Sequence, residues 1–171
     1  GALDVTRFGA LLLPGGHAPG MKQYLGSEAL QTKVRQFTAL NRPVAAICHG
    51  VLVAARAGIL EGRRTTCLPK YMERSAYLAT FWKLGRYYRT YDAYVEDEVK
   101  AALERPEDFE RGPLELSRRG TDADDSPAFV VEDRNYVSAR WPGDAYLFAK
   151  KLLSRLAVAR GDLDAAAGDV A

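Results

Sequence analysis

The stretch Pro43-Val44-Ala45-Ala46-Ile47-Cys48-His49-Gly50-Val51-Leu52-Val53-Ala54-Ala55-Arg56-Ala57-Gly58 decides the fold. Asn41-Arg42-Pro43 stops whatever precedes it, and Pro43 to Ile47 is a short apolar run of the kind that forms a buried strand. Val51 to Ala57 then reads as a helix closed by Gly58. A strand that turns straight into a helix at a cysteine, with His49 next and Gly50 after it, is the thiol form of a nucleophile elbow. Such a turn lifts the side chain out of the sheet at the positive end of the helix, where backbone N–H groups and the macrodipole stabilise a thiolate. The alternative for Cys48 is an ordinary buried core thiol. The neighbouring segments favour a reactive cysteine.

Upstream, Phe8-Gly9-Ala10-Leu11-Leu12-Leu13 reads as a buried strand ending in the turn Pro14-Gly15-Gly16-His17, whose glycines allow close backbone approach. Ser27 is a candidate N-cap for a helix with Leu30, Val34, Phe37 and Leu40 on one face. Downstream, Gly62 to Leu68 reads as a turn leading into a short strand at Thr65 to Leu68. Alternating strands and helices of this kind predict a parallel sheet covered on both faces. Residues 71–112 differ in texture, with helical stretches at Met72 to Tyr88 and Tyr94 to Leu103, and read as an insertion beside the carboxyl edge of the sheet. Phe129-Val130-Val131 and Tyr136 to Ala139 predict a hairpin across Asp133-Arg134-Asn135. Trp141-Pro142-Gly143-Asp144 introduces a last helix with its apolar stripe at Ala145, Phe148, Ala149, Leu152, Leu153 and Leu156. Residues 1–160 thus form a single domain, with 161–171 as a fraying tail.

Position at the carboxyl ends of adjacent strands brings the turn after Leu13 beside the turn after Ile47. The backbone N–H groups of Gly16 and His49 are then the natural oxyanion donors, although Gly15-Gly16 can also be read as a tight turn and no more. His49 follows the nucleophile and can reach back to the sulfur, but needs a carboxylate to orient it. Glu73, just past the Thr65 to Leu68 segment, is the choice by position; a solvated glutamate at a helix start is the alternative. Glu96, Asp97 and Glu98 compete, though three acids on a helix usually face solvent. His17, with Gly15, is a candidate substrate contact. Cys67 reads as structural, and Tyr71, Tyr77, Trp82, Tyr87 and Tyr88 as packing residues, some of which can wall the crevice.

Composition bounds the rest. The 171 residues suit one domain with a full core, and 47% hydrophobic with 27% charged residues is ordinary for a globular protein. A net charge of +2 argues against nucleic acid or an anionic membrane as partner. No apolar run approaches membrane-spanning length. With only Cys48 and Cys67 there is no disulfide framework, which points to a reducing cytoplasm. The two His and two Cys make no zinc set, and neither metal nor cofactor is expected.

The residues resemble the ThiJ/PfpI superfamily, relatives of class I glutamine amidotransferases, over nearly the whole chain. Leu11 to His17 is similar to its strand and PGGH loop, Pro43 to Gly50 to its elbow, and Gly62 to Thr66 to its GK-x-x-T segment. Asp133 to Ser138 with Pro142 to Ala145 resembles its closing region. The histidine after PGG and the insertion carrying Val95 to Glu98 most resemble the heat-shock chaperone and glyoxalase III branch. The resemblance implies a flavodoxin-like three-layer α/β/α sandwich, a homodimer, a stress-response setting and a Cys48–His49–Glu73 triad. One departure stands out. The family normally opens with a strand, helix and strand that bring a glutamate to the sulfur, whereas this chain opens almost at the PGG strand. Either an N-terminal portion is lacking or the sheet edge is completed otherwise, and an open edge there is a hazard unless a partner covers it.

The leading expectation is a cysteine-dependent hydrolase or glyoxalase III-type enzyme acting on a small carbonyl compound. A redox sensor or holding chaperone built on the same cysteine is the first alternative, and a glutamine amidotransferase-like domain the second.

Overall fold

A computed structural model describes residues 3–168 apart from Thr90 and Leu116, with side chains as far as residue 161; residues 169–171 of the expected tail lie outside the described residues. The strands are β1 (Leu11–Leu13), β2 (Val44–Ile47), β3 (Val130–Asp133) and β4 (Tyr136–Ala139). The helices are α1 (Met21–Leu25), α2 (Glu28–Thr38), α3 (Gly50–Arg56), α4 (Lys70–Leu84), α5 (Val95–Ala101) and α6 (Ala145–Gly168). Sheet order is β1-β2-β4-β3, with β1, β2 and β4 parallel and β3 antiparallel to β4.

Alternation along β2 makes the layers. Val44 and Ala46 face one way and pack with Leu13, Tyr136 and the apolar run Val51 to Ala55 of α3. Ala45 faces the other way, joining Val137, Ala139 and Phe148 of α6. Helices therefore cover both faces, giving the flavodoxin-like three-layer α/β/α arrangement. Ser27 caps α2 as expected, its Oγ accepting from the Leu30 N–H at 3.2 Å.

Two sequence expectations are corrected. The first strand is only three residues long; Phe8 lies outside it and is 47% exposed, and Leu12 is 52% exposed because β1 is the sheet edge. Thr65 to Leu68 is not a strand of the sheet. It makes one parallel bridge, Thr65 to Phe109, and the Thr66 N–H donates instead to Ser138 Oγ at 3.0 Å. A side chain has taken the donor that a ladder needs. α6 runs through Gly161 to Gly168.

The parallel strands all run the same way, so the chain after Leu13, after Ile47 and after Ala139 emerges at one edge. That edge carries the site.

Candidate active site

Cys48 has φ +59°, a left-handed conformation that few non-glycine residues adopt. It is over-determined from several sides. The Cys48 N–H donates to Ala139 O at 3.0 Å, holding the bend against β4. Gly15 lies so close that a Cβ there would sit 2.7 Å from the His49 backbone N and 2.8 Å from Cys48 Cβ. Gly50 abuts the end of β1, where a Cβ would press on Pro14 O at 2.6 Å and on Leu13 O nearer still. The two turns are in direct backbone contact, and strain of this kind, held by its surroundings, is a common mark of a functional bend.

Cys48 Sγ lies 3.4 Å from His49 Nδ1. The thiol is 7% exposed and the imidazole 0%. Burial pushes the Cys48 thiol up to about 12, and the negative charges of Glu73 and Asp144 push the same way against a lowering backbone hydrogen bond from His49. Burial, with His17 beside it, holds His49 down to about 3. Both shifts favour the uncharged forms, thiol and neutral imidazole, the opposite direction to the thiolate that the sequence reading expected at the start of the following helix. That helix is seven residues long, and its N-terminus does not offset the loss of water.

His17 packs edge-on against His49, ring centroids 4.4 Å apart, and against Tyr88 at 4.8 Å. Tyr91, which the sequence reading did not single out, lies 5.3 Å from the His49 ring. Both tyrosines arrive on the insertion; its aromatic content was legible, but which rings would turn toward the elbow was not.

Glu73 is on the first turn of α4, 1% exposed, and lines the same cavity as Cys48. Its Oε2 accepts the Val95 N–H at 3.2 Å, and Oε1 lies 3.6 Å from Arg89 Nη1. No hydrogen bond joins it to His49, whose Nε2 has no partner among the described residues. Burial raises its pKa. The competing acids are otherwise engaged. Glu96 is buried, not solvent-facing as expected, and binds Lys100, Arg111 and the Lys70 N–H. Glu98 forms a paired contact with Arg56 at 2.6 and 3.0 Å, and Asp97 pairs with Lys70. Cys67 is fully buried, and burial raises its thiol.

A cavity of about 770 Å³ opens over Cys48, bounded by Pro14 to His17, by α4, and by Trp141, Pro142 and Ala145. Among the described residues, no three His, Cys, Asp or Glu side chains are grouped to hold a metal ion. No described helix is long and apolar enough to cross a membrane.

Residues 2–155 match the DJ-1/PfpI family. The chain belongs to that family. Among curated relatives, Deglycase PfpI of Pyrococcus furiosus is 29% identical over 154 residues, which are 90% of this chain and 66% of that protein. Protein/nucleic acid deglycase 2 of Escherichia coli is 44% identical over 64 residues, covering 37% of this chain and 36% of the relative. The glyoxalase III of Candida albicans superposes with a TM-score of 0.62 at 17% identity, over 90% of this chain and 59% of that one. Rapid Encystment Protein 24 kDa of Francisella tularensis gives 0.66 at 19%, over 90% and 60%. The chain thus spans just under two thirds of the length of the DJ-1/PfpI relatives it matches along most of its own length.

Proposed function

We propose that this DJ-1/PfpI chain carries the nucleophile of a cysteine-dependent enzyme acting on a carbonyl carbon, either free, as in an α-oxoaldehyde, or within an amide or a carbonyl adduct of an amine. The observation that carries this reading is the buried Cys48–His49 contact in a left-handed bend at the floor of a cavity. Names of relatives, deglycase and glyoxalase III, lie in the same area of chemistry.

Both groups are neutral at rest, so charge separates only when a carbonyl is present. Sγ attacks the carbon, its proton passes to His49 Nδ1, and the new oxyanion is held by the N–H groups of Gly16 and His49. A site of this kind favours the transition state over the empty resting pair, since the imidazolium forms only beside the oxyanion that balances it. An α-oxoaldehyde adduct isomerises to the thioester of a 2-hydroxy acid, which water cleaves; an amide gives a thioester by expelling its amine. Glu73 serves as the acid that offsets charge on His49 in the loaded site, and His17 and Gly15 contact substrate.

Turnover of methylglyoxal, of a glycated amine and of a simple amide by the protein and by Cys48→Ser tests the enzyme reading. Loss of turnover in a folded variant supports it; unchanged rates on every substrate refute it.

A further inference from the structure

The cavity over Cys48 is much larger than a three-carbon oxoaldehyde requires. At about 770 Å³ it falls in the range of sites that enclose drug-sized ligands. Its lining is largely hydrocarbon. Met72, Ala76 and Ala79 lie along one face of α4, and Trp141, Pro142 and Ala145 line the same cavity as Cys48. Exposure grades outward along α4: Met72 is buried, Ala76 half-buried and Ala79 exposed at the mouth. The two alanines set the width, since any larger side chain at 76 or 79 would project into the space.

Among the described residues the lining includes no Lys or Arg, and the nearby Arg89 is paired with Glu73 at 3.6 Å, so a substrate bearing a carboxylate or phosphate would meet little counter-charge there. The titratable groups that do line it, besides Cys48 and Tyr88, are His17 and Glu73. Burial shifts both toward their neutral forms. A mostly apolar lining with few polar groups, Ser75 and Tyr88 among them, favours an uncharged, bulky hydrocarbon group attached to the reacting carbonyl.

We infer that the substrate class is carbonyl compounds bearing an aromatic group, aryl α-oxoaldehydes above all, with Ala76, Ala79 and Trp141 as the specificity-determining residues. This rests on the carbonyl chemistry proposed above, but its test need not.

Alkylation of Cys48 by 2-bromoacetophenone and by bromoacetone separates the two. In each, the Sγ–CH2 bond forms, bromide leaves, and the thiol proton passes to His49 or solvent. Rates are read by peptide mass spectrometry at Cys48 and divided by those of N-acetylcysteine. The aryl reagent should saturate and be favoured at least about tenfold, the scale on which a fitted apolar pocket discriminates. Ala76→Phe should abolish that preference, bringing the normalised aryl rate down to that of bromoacetone. Ala79→Phe, at an exposed position, gives the same result if Ala76→Phe fails to fold. Equal normalised rates, or a preference untouched by both variants, overturn the inference. Turnover of phenylglyoxal and methylglyoxal is measured alongside. Retained aryl preference without turnover of either removes the enzyme reading and keeps the pocket assignment. Turnover of methylglyoxal without aryl preference does the reverse.

Discussion

Glu73 and Glu96 cap each other's helices. Glu73, on the first turn of α4, accepts the Val95 N–H that opens α5, and Glu96, on the first turn of α5, accepts the Lys70 N–H that opens α4 at 2.9 Å. The exchange fixes the insertion against the elbow and gives Glu73 a structural duty besides the acid role proposed for it. The two are separable. Glu73→Ala loses the cap and should cost about 1–2 kcal/mol in urea unfolding. Glu73→Gln keeps an acceptor oxygen for the Val95 N–H and gives up only the charge facing Arg89, so it should cost less than Glu73→Ala, yet turnover should fall at least about tenfold. Full activity in the Gln variant would leave Glu73 as a cap alone.

A second clamp holds the far wall of the cavity. Arg140, just past β4, meets Asp144 through Nε at 3.0 Å and Nη2 at 2.8 Å, with neither side chain exposed. The same pair reaches Pro113 O and the Phe129 N–H, tying the loop before β3 to the start of α6 around Trp141. Asp144→Ala leaves an uncompensated buried guanidinium and should destabilise by about 3–5 kcal/mol. Arg140→Met combined with Asp144→Leu should lose less than the single variant, measured by denaturant midpoint and slope.

The central turns were readable because their requirements are local. A Pro-Gly-Gly loop and a Cys-His-Gly bend each need backbone room that few residues allow, and the sequence shows those residues in order. Neighbouring strand ends followed from the alternation of strands and helices. The Thr65 to Leu68 segment misled because its β-branched composition suits a strand, while its hydrogen bonds go to Ser138 Oγ, Asp108 O and the Glu110 N–H. Protonation of the dyad was beyond reach for a different reason. It depends on how much water the insertion excludes, and no local pattern carries that. Adjacency of His49 to Cys48 likewise foretold the contact but not that Nε2 would stand without Glu73.

Gly50 is predicted to be the least replaceable glycine. A methyl group there would enter the carbonyl of Leu13, which is backbone and cannot rotate away. Gly50→Ala should therefore cost about 3 kcal/mol or more, the upper range of overpacking, lowering the thermal midpoint and slowing Cys48 chemistry together. Gly20→Ala, where nothing lies within 4 Å, is the matched control and should be close to neutral.

His49 makes stability depend on acid. Its folded pKa of about 3 lies below the ordinary 6.5, so between those values the unfolded chain binds the extra proton. The contribution is fully present above pH 6.5 and is lost as pH falls toward 3. Glu96, held at about 2 by Arg111, Lys100 and the Lys70 N–H against its burial, acts in the same sense below its ordinary 4.5. Between pH 6.5 and 4.5 only the histidine contributes of these two. His49→Gln should flatten the urea-midpoint profile across that interval, and an unchanged slope would show that His49 already titrates normally.

Cys48 gives the opposite dependence and a direct view of the dyad. Its folded thiol, near 12, lies above the ordinary 9.0, so the thiolate fraction at neutral pH is small and grows with every unit of alkalinity. Iodoacetamide labelling at Cys48 should therefore climb through pH 9 without a plateau. Between pH 5 and 8 it should show no inflection, since His49 is already neutral there. Glu73→Gln removes one of the charges that raise the thiol and should speed labelling at fixed pH. An ion pair of thiolate and imidazolium would behave otherwise, with rapid labelling that levels off below pH 7. A plateau of that kind would mean that the sulfur is ionised at rest, and the attack step would then need no proton transfer to Nδ1.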